Sequence, residues 1–158
     1  MTGKIAVGGI TRVDDLVMVK ILGAQVGQGF AGRALSGLGG KGISVSCVTS
    51  FSDGRGLNNI SFAIRSADLD QTLGILQSMQ EELEVGKIDY TRGCAAISVY
   101  GPHFSERPAI AGTVFETISD AGMEILLITT SFSTVTFLTY AKEAELAVER
   151  LGEKFLVP

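Results

Sequence analysis

The chain has 158 residues, 46% of them hydrophobic and 19% charged, with no Trp and a formal net charge of −4. This length holds one medium domain or two small ones, and a unit of about 70 to 80 residues lies near the lower limit at which a hydrophobic core suffices alone. The acidic balance and the absence of clustered Lys and Arg argue against nucleic acid as a partner, and no apolar run is long enough to span a membrane.

From the N-terminus, Lys4 to Thr11 carries Ile5 and Val7 in alternation and reads as a strand. Val17, Val19 and Ile21, with Met18 and Lys20 between them, read as a second. Asp14-Asp15 between the two reads as solvated charge in a turn. Phe30 to Leu38 follows, a helix on which Ala31, Ala34, Leu35 and Leu38 share one face until Gly39-Gly40-Lys41-Gly42 stops it. Ile43, Val45 and Cys47 alternate with Ser44 and Ser46, and Ile60, Phe62 and Ile64 alternate with Asn59, Ser61 and Ala63, which predicts half-buried strands with one wet face. Asp68 is placed to cap a helix running through Leu69, Leu73, Leu76 and Leu83, and Lys87 to Thr91 makes a short closing strand.

That order is β-α-β-β-α-β, the split βαβ arrangement of ferredoxin-like folds. Ala96 to Tyr100, Ile110 to Ala121, Glu124 to Thr130, Thr134 to Thr139 and Lys142 to Phe155 then supply β-α-β-β-α, and Leu156-Val157-Pro158 leaves no room for a last strand. The fold class expected is α+β, two ferredoxin-like units of antiparallel sheet with helices on one face. The first unit is placed at 13–92 and the second at 93–158, completed by the N-terminal strand 4–11, which pairs with an edge otherwise left exposed.

The two halves repeat each other. Val48-Thr49-Ser50-Phe51-Ser52 returns as Ile128-Thr129-Thr130-Ser131-Phe132-Ser133, and Ala31-Gly32 returns as Ala111-Gly112. At the same offset Phe30, Ala34, Leu38 and Gly42 meet Ile110, Val114, Ile118 and Gly122, apolar on apolar and glycine on glycine.

Catalytic signatures are thin. His103, the single histidine, stands in a loop beside Pro102 and Phe104; Glu81-Glu82-Leu83-Glu84 reads as solvated charge at a helix end; Ser50, Ser52, Ser131 and Ser133 have no recognisable base. Cys47 and Cys94 occur without a CxxC, so they read as free thiols in a reducing cytoplasm; no catalytic residue, metal or cofactor is assigned. Met1-Thr2-Gly3-Lys4 is not followed by the apolar core of a signal peptide. One enzymatic alternative is an acylphosphatase-like phosphate loop at Gln25 to Phe30 with Arg33, and Asn58 or Asn59 to orient a water.

Unit order, the pairing of units, and the stretches Arg107-Pro108-Ala109-Ile110-Ala111, Phe115-Glu116-Thr117-Ile118-Ser119-Asp120-Ala121-Gly122 and Ala144 to Leu151 resemble the paired ACT regulatory domain of aspartokinase, over nearly the whole chain. The resemblance implies a non-catalytic module that binds lysine or threonine as effector at interfaces between ACT units, forms a homodimer, and controls a kinase domain or catalytic subunit. It implies an effector site at Val26, Gly27, Gln28, Gly29, Phe30 and Ala31 with Thr49, Ser50, Phe51 and Ser52 in the first unit. In the second unit it implies Arg107, Pro108, Ala109 and Ile110 with Thr129, Thr130 and Ser131. Where the family shows Asp-x-Pro-Gly in the first unit, this chain reads Val26-Gly27-Gln28-Gly29 and keeps the last glycine. A loop entering a helix suits a carboxylate because its N–H groups are unpaired, whereas the ammonium group needs an oxygen that Val26 does not supply. The alternative within the same fold is a dimerisation scaffold in which Phe30, Phe51, Phe104 and Phe132 fill the sites.

Overall fold

The computed structural model describes residues 3–25, 29–102 and 104–158. The chain divides into two compact units, Leu16–Arg92, and Met1–Asp15 with Gly93–Pro158. Two long strands, β2 (Gly9–Gln25) and β5 (Lys87–Tyr100), each run through a unit boundary. Sequence alternation splits each of them into two strands. At the breaks the backbone takes positive φ at Asp15 (56°) and Gly93 (68°), so the periodicity is interrupted while the strand continues. Asp14-Asp15 accordingly lies within a strand and not in a turn.

In the unit Leu16–Arg92, α1 (Phe30–Gly39) follows β2, then β3 (Ser46–Ser52), β4 (Leu57–Arg65) and α2 (Leu69–Gln80). The strand order is β3-β4-β2, antiparallel throughout, with Val19 opposite Phe62 and Ile21 opposite Ile60. These four side chains pack with Phe30, Ala34 and Leu38 of α1 and Leu69 and Leu76 of α2 into one apolar core. Helical spacing on the helices and alternation on the strands aim both sets at that core.

Three local expectations change. Leu16 to Val19 are buried without interruption and Ala63, opposite Met18, is fully buried, so the second face of these strands is covered and not wet. Ile43 and Val45 precede β3, and Cys47 sits at a register shift with φ 53°. Asp68 makes no cap with its side chain; its carboxylate takes Arg65 Nε at 3.0 Å instead.

In the other unit, α3 (Ala109–Asp120), β6 (Leu127–Thr130), β7 (Thr134–Tyr140) and α4 (Ala144–Lys154) follow β5. β5 pairs antiparallel with β7, and β7 with β6, Ile97 lying opposite Phe137. Ile97, Val99 and Phe137 meet Ile110, Val114 and Ile118 of α3 and Ala147 and Leu151 of α4 in a second core that also buries Val7. The chain does form a last strand: β8 (Phe155–Leu156) pairs in parallel with β1 (Ile5–Ala6), Ile5 opposite Phe155. Two residues are too few to show a period, but Phe155 is buried in the core and the Val7 amide extends the ladder onto Leu156 O at 3.0 Å.

Candidate functional site

Each unit presents a concavity where its first helix begins. In Leu16–Arg92 the N-cap of α1 is Gly29, in the left-handed conformation (φ 62°, ψ 29°), which a residue without Cβ adopts at little cost. The first-turn amides of Phe30, Ala31 and Gly32 have no acceptor within the helix, whereas the Arg33 amide reaches Gly29 O at 3.0 Å. Residues 29–32 together with Ser50, Phe51 and Ser52 of β3 and Asn58 of β4 line a concavity of about 470 Å³. Ser52 and Asn58 are register partners, and the Ser52 hydroxyl donates to Asn58 Oδ1 at 2.9 Å. The lining thus offers first-turn N–H donors with no backbone acceptor among the described residues, hydroxyl and amide groups on the strands, and no charged side chain among these residues.

Asn59 supports this wall from behind. It is 5% exposed; its Oδ1 accepts from the Gly23 amide at 3.0 Å, and its Nδ2 donates to Asp53 Oδ2 at 3.3 Å and to Leu57 O at 3.4 Å. Asp53 also accepts from the amides of Arg55 (2.8 Å) and Leu57 (3.2 Å). The Arg55 and Leu57 amides, then Asn59, hold the Asp53 carboxyl below its ordinary range, because each of these bonds favours the ionised form. The turn between β3 and β4, and with it Ser52 and Asn58, is tied down by this network.

In the other unit Phe104, Arg107, Pro108, Ile110, Ala111, Thr130, Ser131, Phe132 and Val135 line a concavity of about 270 Å³. Its helix start is chemically different. Pro108 is the N-cap and has no N–H, and the Ile110 amide is already bonded to Arg107 O at 3.2 Å. The positive group at this site is the Arg107 side chain, whose Nη1 donates to Ala6 O at 3.1 Å.

Residues 97–155 match the ACT domain family. The chain is 29% identical over 155 residues to the aspartokinase of Geobacillus stearothermophilus, covering 98% of this chain and 37% of that protein. It is 27% identical over 157 residues to aspartokinase 2 of Bacillus subtilis, covering 98% and 38%. It therefore spans less than two fifths of the length of these curated relatives. A crystal structure of aspartokinase alpha and beta subunits contains a chain that is 26% identical, with a TM-score of 0.85 over 94% of this chain and 97% of that one. This chain resembles the paired ACT regulatory domain of aspartokinase. The ligand-free regulatory subunit of aspartate kinase from Thermus thermophilus shares this chain's fold at a TM-score of 0.86, with 20% identity and coverage of 95% and 99%.

In the unit Leu16–Arg92, the structure gathers Gly29, Phe30, Ala31, Ser50, Phe51 and Ser52 around one concavity. Thr49 lies beside it on β3, opposite Ser61, and does not line it. Val26, Gly27 and Gln28 lie outside the described residues, as does His103. In the second ACT unit Arg107, Pro108, Ile110, Thr130 and Ser131 come together, while Ala109 and Thr129 flank them without lining the space. Gly32, Asn58, Ala111 and Val135 also line the two concavities but are missing from the sequence-based set. Ala111 was available from the repeat, as the counterpart of Ala31; Asn58 required the register that sets it opposite Ser52.

The four phenylalanines do not fill the sites. Phe30 and Phe104 belong to the two cores, and Phe51 and Phe132 stand outward at the rims, 60% and 88% exposed. The phosphate-loop alternative loses its arginine: Arg33 is ion-paired with Glu82 and does not line the concavity. Among the described residues no cluster of His, Cys, Asp or Glu could hold a metal. Cys94 is buried and Cys47 half-buried; neither is in a disulfide, and burial raises the Cys47 pKa. No helix among the described residues is long and apolar enough to cross a membrane.

Proposed function

We propose that this chain is the regulatory module of an aspartate kinase, a non-catalytic ACT pair that binds a free amino acid of the lysine or threonine class. It acts in the cytoplasm as a homodimer and passes its occupancy to a kinase domain or catalytic subunit. The observation that carries this reading is the head of α1, where the first-turn residues 30–32 share an open concavity with Ser50, Ser52 and Asn58, their amides having no backbone acceptor among the described residues. An α-carboxylate docks on the amides and the positive end of the helix dipole. The ammonium group donates to the Ser52 hydroxyl and the Asn58 amide oxygen, and the side chain lies against Phe51. Binding then favours one arrangement of the assembly over another, and the kinase responds to that population shift. Because residues 29–32, 50–52 and 58 carry no charge, the ε-ammonium of lysine finds no counter-charge among them, and threonine is expected to bind more tightly.

Thermal unfolding and calorimetry against a panel of amino acids test this. At a hundred times its dissociation constant a ligand adds about 2.7 kcal/mol, which raises the midpoint by about 5–10 °C in a chain of this size. Asn58→Leu should weaken binding by about tenfold, the cost of one hydrogen bond to a charged group. The replacement of the family's acidic residue by Val26 favours a second reading, a dimerisation scaffold that has lost its effector. No response to any amino acid would reject the sensor and leave that scaffold.

A further inference from the structure

The helix layer of the unit Met1–Asp15 with Gly93–Pro158 carries an open groove of about 380 Å³ between α3 and α4. Thr113, Thr117 and Ala121 of α3 lie along it, with Glu116 and Asp120 on the same helix and Arg150, Glu153 and Lys154 on α4. In the unit Leu16–Arg92 the same place is filled. α1 and α3 bury residues at one spacing, Phe30, Ala34 and Leu38 against Ile110, Val114 and Ile118. So do α2 and α4, Leu69, Thr72 and Leu76 against Ala144, Ala147 and Leu151. Gly37 is thus the counterpart of Thr117, and Ile75 and Met79 are the counterparts of Arg150 and Lys154. A Cβ on Gly37 would lie 3.2 Å from Met79 Sδ and 3.7 Å from Ile75 Cγ2, so two apolar side chains close that groove. Where α4 carries cations instead, the groove stays open.

The open groove has a floor of small residues and rims of opposite sign. The Thr113 and Thr117 hydroxyls donate back to Ala109 O (2.9 Å) and Thr113 O (2.6 Å), so covering the floor strands no donor. Glu116 and Asp120 stand one turn apart on α3, Arg150 and Lys154 one turn apart on α4, and all four are exposed. Glu153 is the one acid that α4 adds to the lining, and it lies 3.8 Å from Arg150 Nη1. Leu146, 37% exposed, continues the row of Arg150 and Lys154 by a further turn.

We propose that this groove is where a second copy of the chain docks, helix layer on helix layer, across a two-fold axis running along the groove. Such an axis sets α3 of one protomer over α4 of its partner. The acidic and basic rows line one stretch of groove, so they meet at the same height, and the symmetry makes the match twice. An axis across the helices would set α3 on α3, acid on acid. The small floor lets helices approach closely, and Leu146 adds apolar surface beside the charged rows. The helix layer of Leu16–Arg92 has no such rows, since the counterparts of the four charged residues are Ser36, Gly40, Ile75 and Met79. This gives the homodimer of the proposed function a face and rests on that part of the reading alone; amino-acid binding does not enter it.

Sedimentation equilibrium of the full chain tests the face with two double variants, Glu116→Lys with Asp120→Lys, and Arg150→Glu with Lys154→Glu. Each should halve the mass of the wild-type assembly, because like charges then face each other. An equimolar mixture of the two should restore it, since each variant's altered row then meets its opposite, and restoration also shows that both variants fold. Asp120→Lys places a cation in the last turn of α3, where the helix dipole favours it, so the acidic-row variant decides alone if the other does not fold. A wild type with the mass of one chain would overturn both this inference and the homodimer. A two-chain mass that persists in the double variants, or no recovery on mixing, would overturn the face and leave the homodimer standing.

Discussion

Asn59→Asp changes one atom's identity in a buried network, and its effect can be worked out with sign and size. The new side chain keeps an oxygen for the Gly23 amide at 3.0 Å but puts a second oxygen where Nδ2 stood, 3.3 Å from Asp53 Oδ2 and 3.4 Å from Leu57 O. Acceptor then faces acceptor, and Asp53 is already held ionised by the amides of Arg55 and Leu57. The variant escapes by keeping the new carboxyl at position 59 protonated. Doing so at pH 7 costs about 4 kcal/mol, which is 1.36 kcal/mol for each of the roughly three units between pH 7 and an unperturbed Asp near 3.9. This sets the ceiling, so the variant should lose about 2–4 kcal/mol at pH 7, with a midpoint drop of about 6–12 °C. The folded pKa at position 59 is raised above the unfolded one, so the penalty is absent below about pH 4 and grows as pH rises toward the folded pKa. At pH 5 it should have fallen to about 1.5 kcal/mol. Urea unfolding of both proteins at pH 5, 6 and 7 measures this directly. A destabilisation that is the same at all three values, or smaller than about 0.5 kcal/mol at pH 7, would show that Asn59 does not face Asp53 as described.

Thr72 lies on the buried face of α2, fully buried, and its hydroxyl has no hydrogen-bond partner among the described residues; Thr72→Val should therefore stabilise the fold by about 1 kcal/mol in thermal unfolding, and destabilisation would mean that the hydroxyl is satisfied. Gly101→Ala places a Cβ 2.9 Å from both the Gly8 amide nitrogen and the Phe104 ring, so it should cost about 1–3 kcal/mol and loosen the N-terminal segment, measured as faster exchange there. Deleting residues 1–11 removes Val7 from the core together with the β1 partner of β8. That should lower the stability of the remaining unit by about 2–4 kcal/mol, and melting identical to the full chain would show that the segment contributes nothing.

Much of the site's location was legible because the chain repeats. The offset that brings Phe30 onto Ile110 and Ala31 onto Ala111 marks both helix starts, and the returning Thr-Ser-Phe-Ser stretch marks both facing strands. The contrast between the two sites was not legible from type alone. Gly29 and Pro108 are both ordinary ways to begin a helix, yet after Gly29 the amides of residues 30–32 have no backbone acceptor among the described residues, whereas the other helix starts with no N–H and a second amide already bonded. Arg33 stands one turn into α1 and Arg107 just before α3, but one is spent on Glu82 and the other stands at a concavity. Their partners lie 49 and 101 residues away, beyond the reach of any local pattern.

What the sequence by itself determined is the order of the helices and longer strands and the inward faces of α1 and α3. Phe30, Ala34 and Leu38, and Ile110, Val114 and Ile118, are buried as their spacing requires, because burying one apolar face is a local property of a periodic segment. Tertiary structure alone decided that β2 and β5 run unbroken through Asp15 and Gly93, that two residues at Phe155–Leu156 suffice for a strand, and that Asn59 becomes the hub behind the first concavity. Each of these rests on a backbone or side-chain group finding its partner far away in the chain. A buried polar group must be satisfied wherever the fold brings a partner, and that place is set by packing rather than by period.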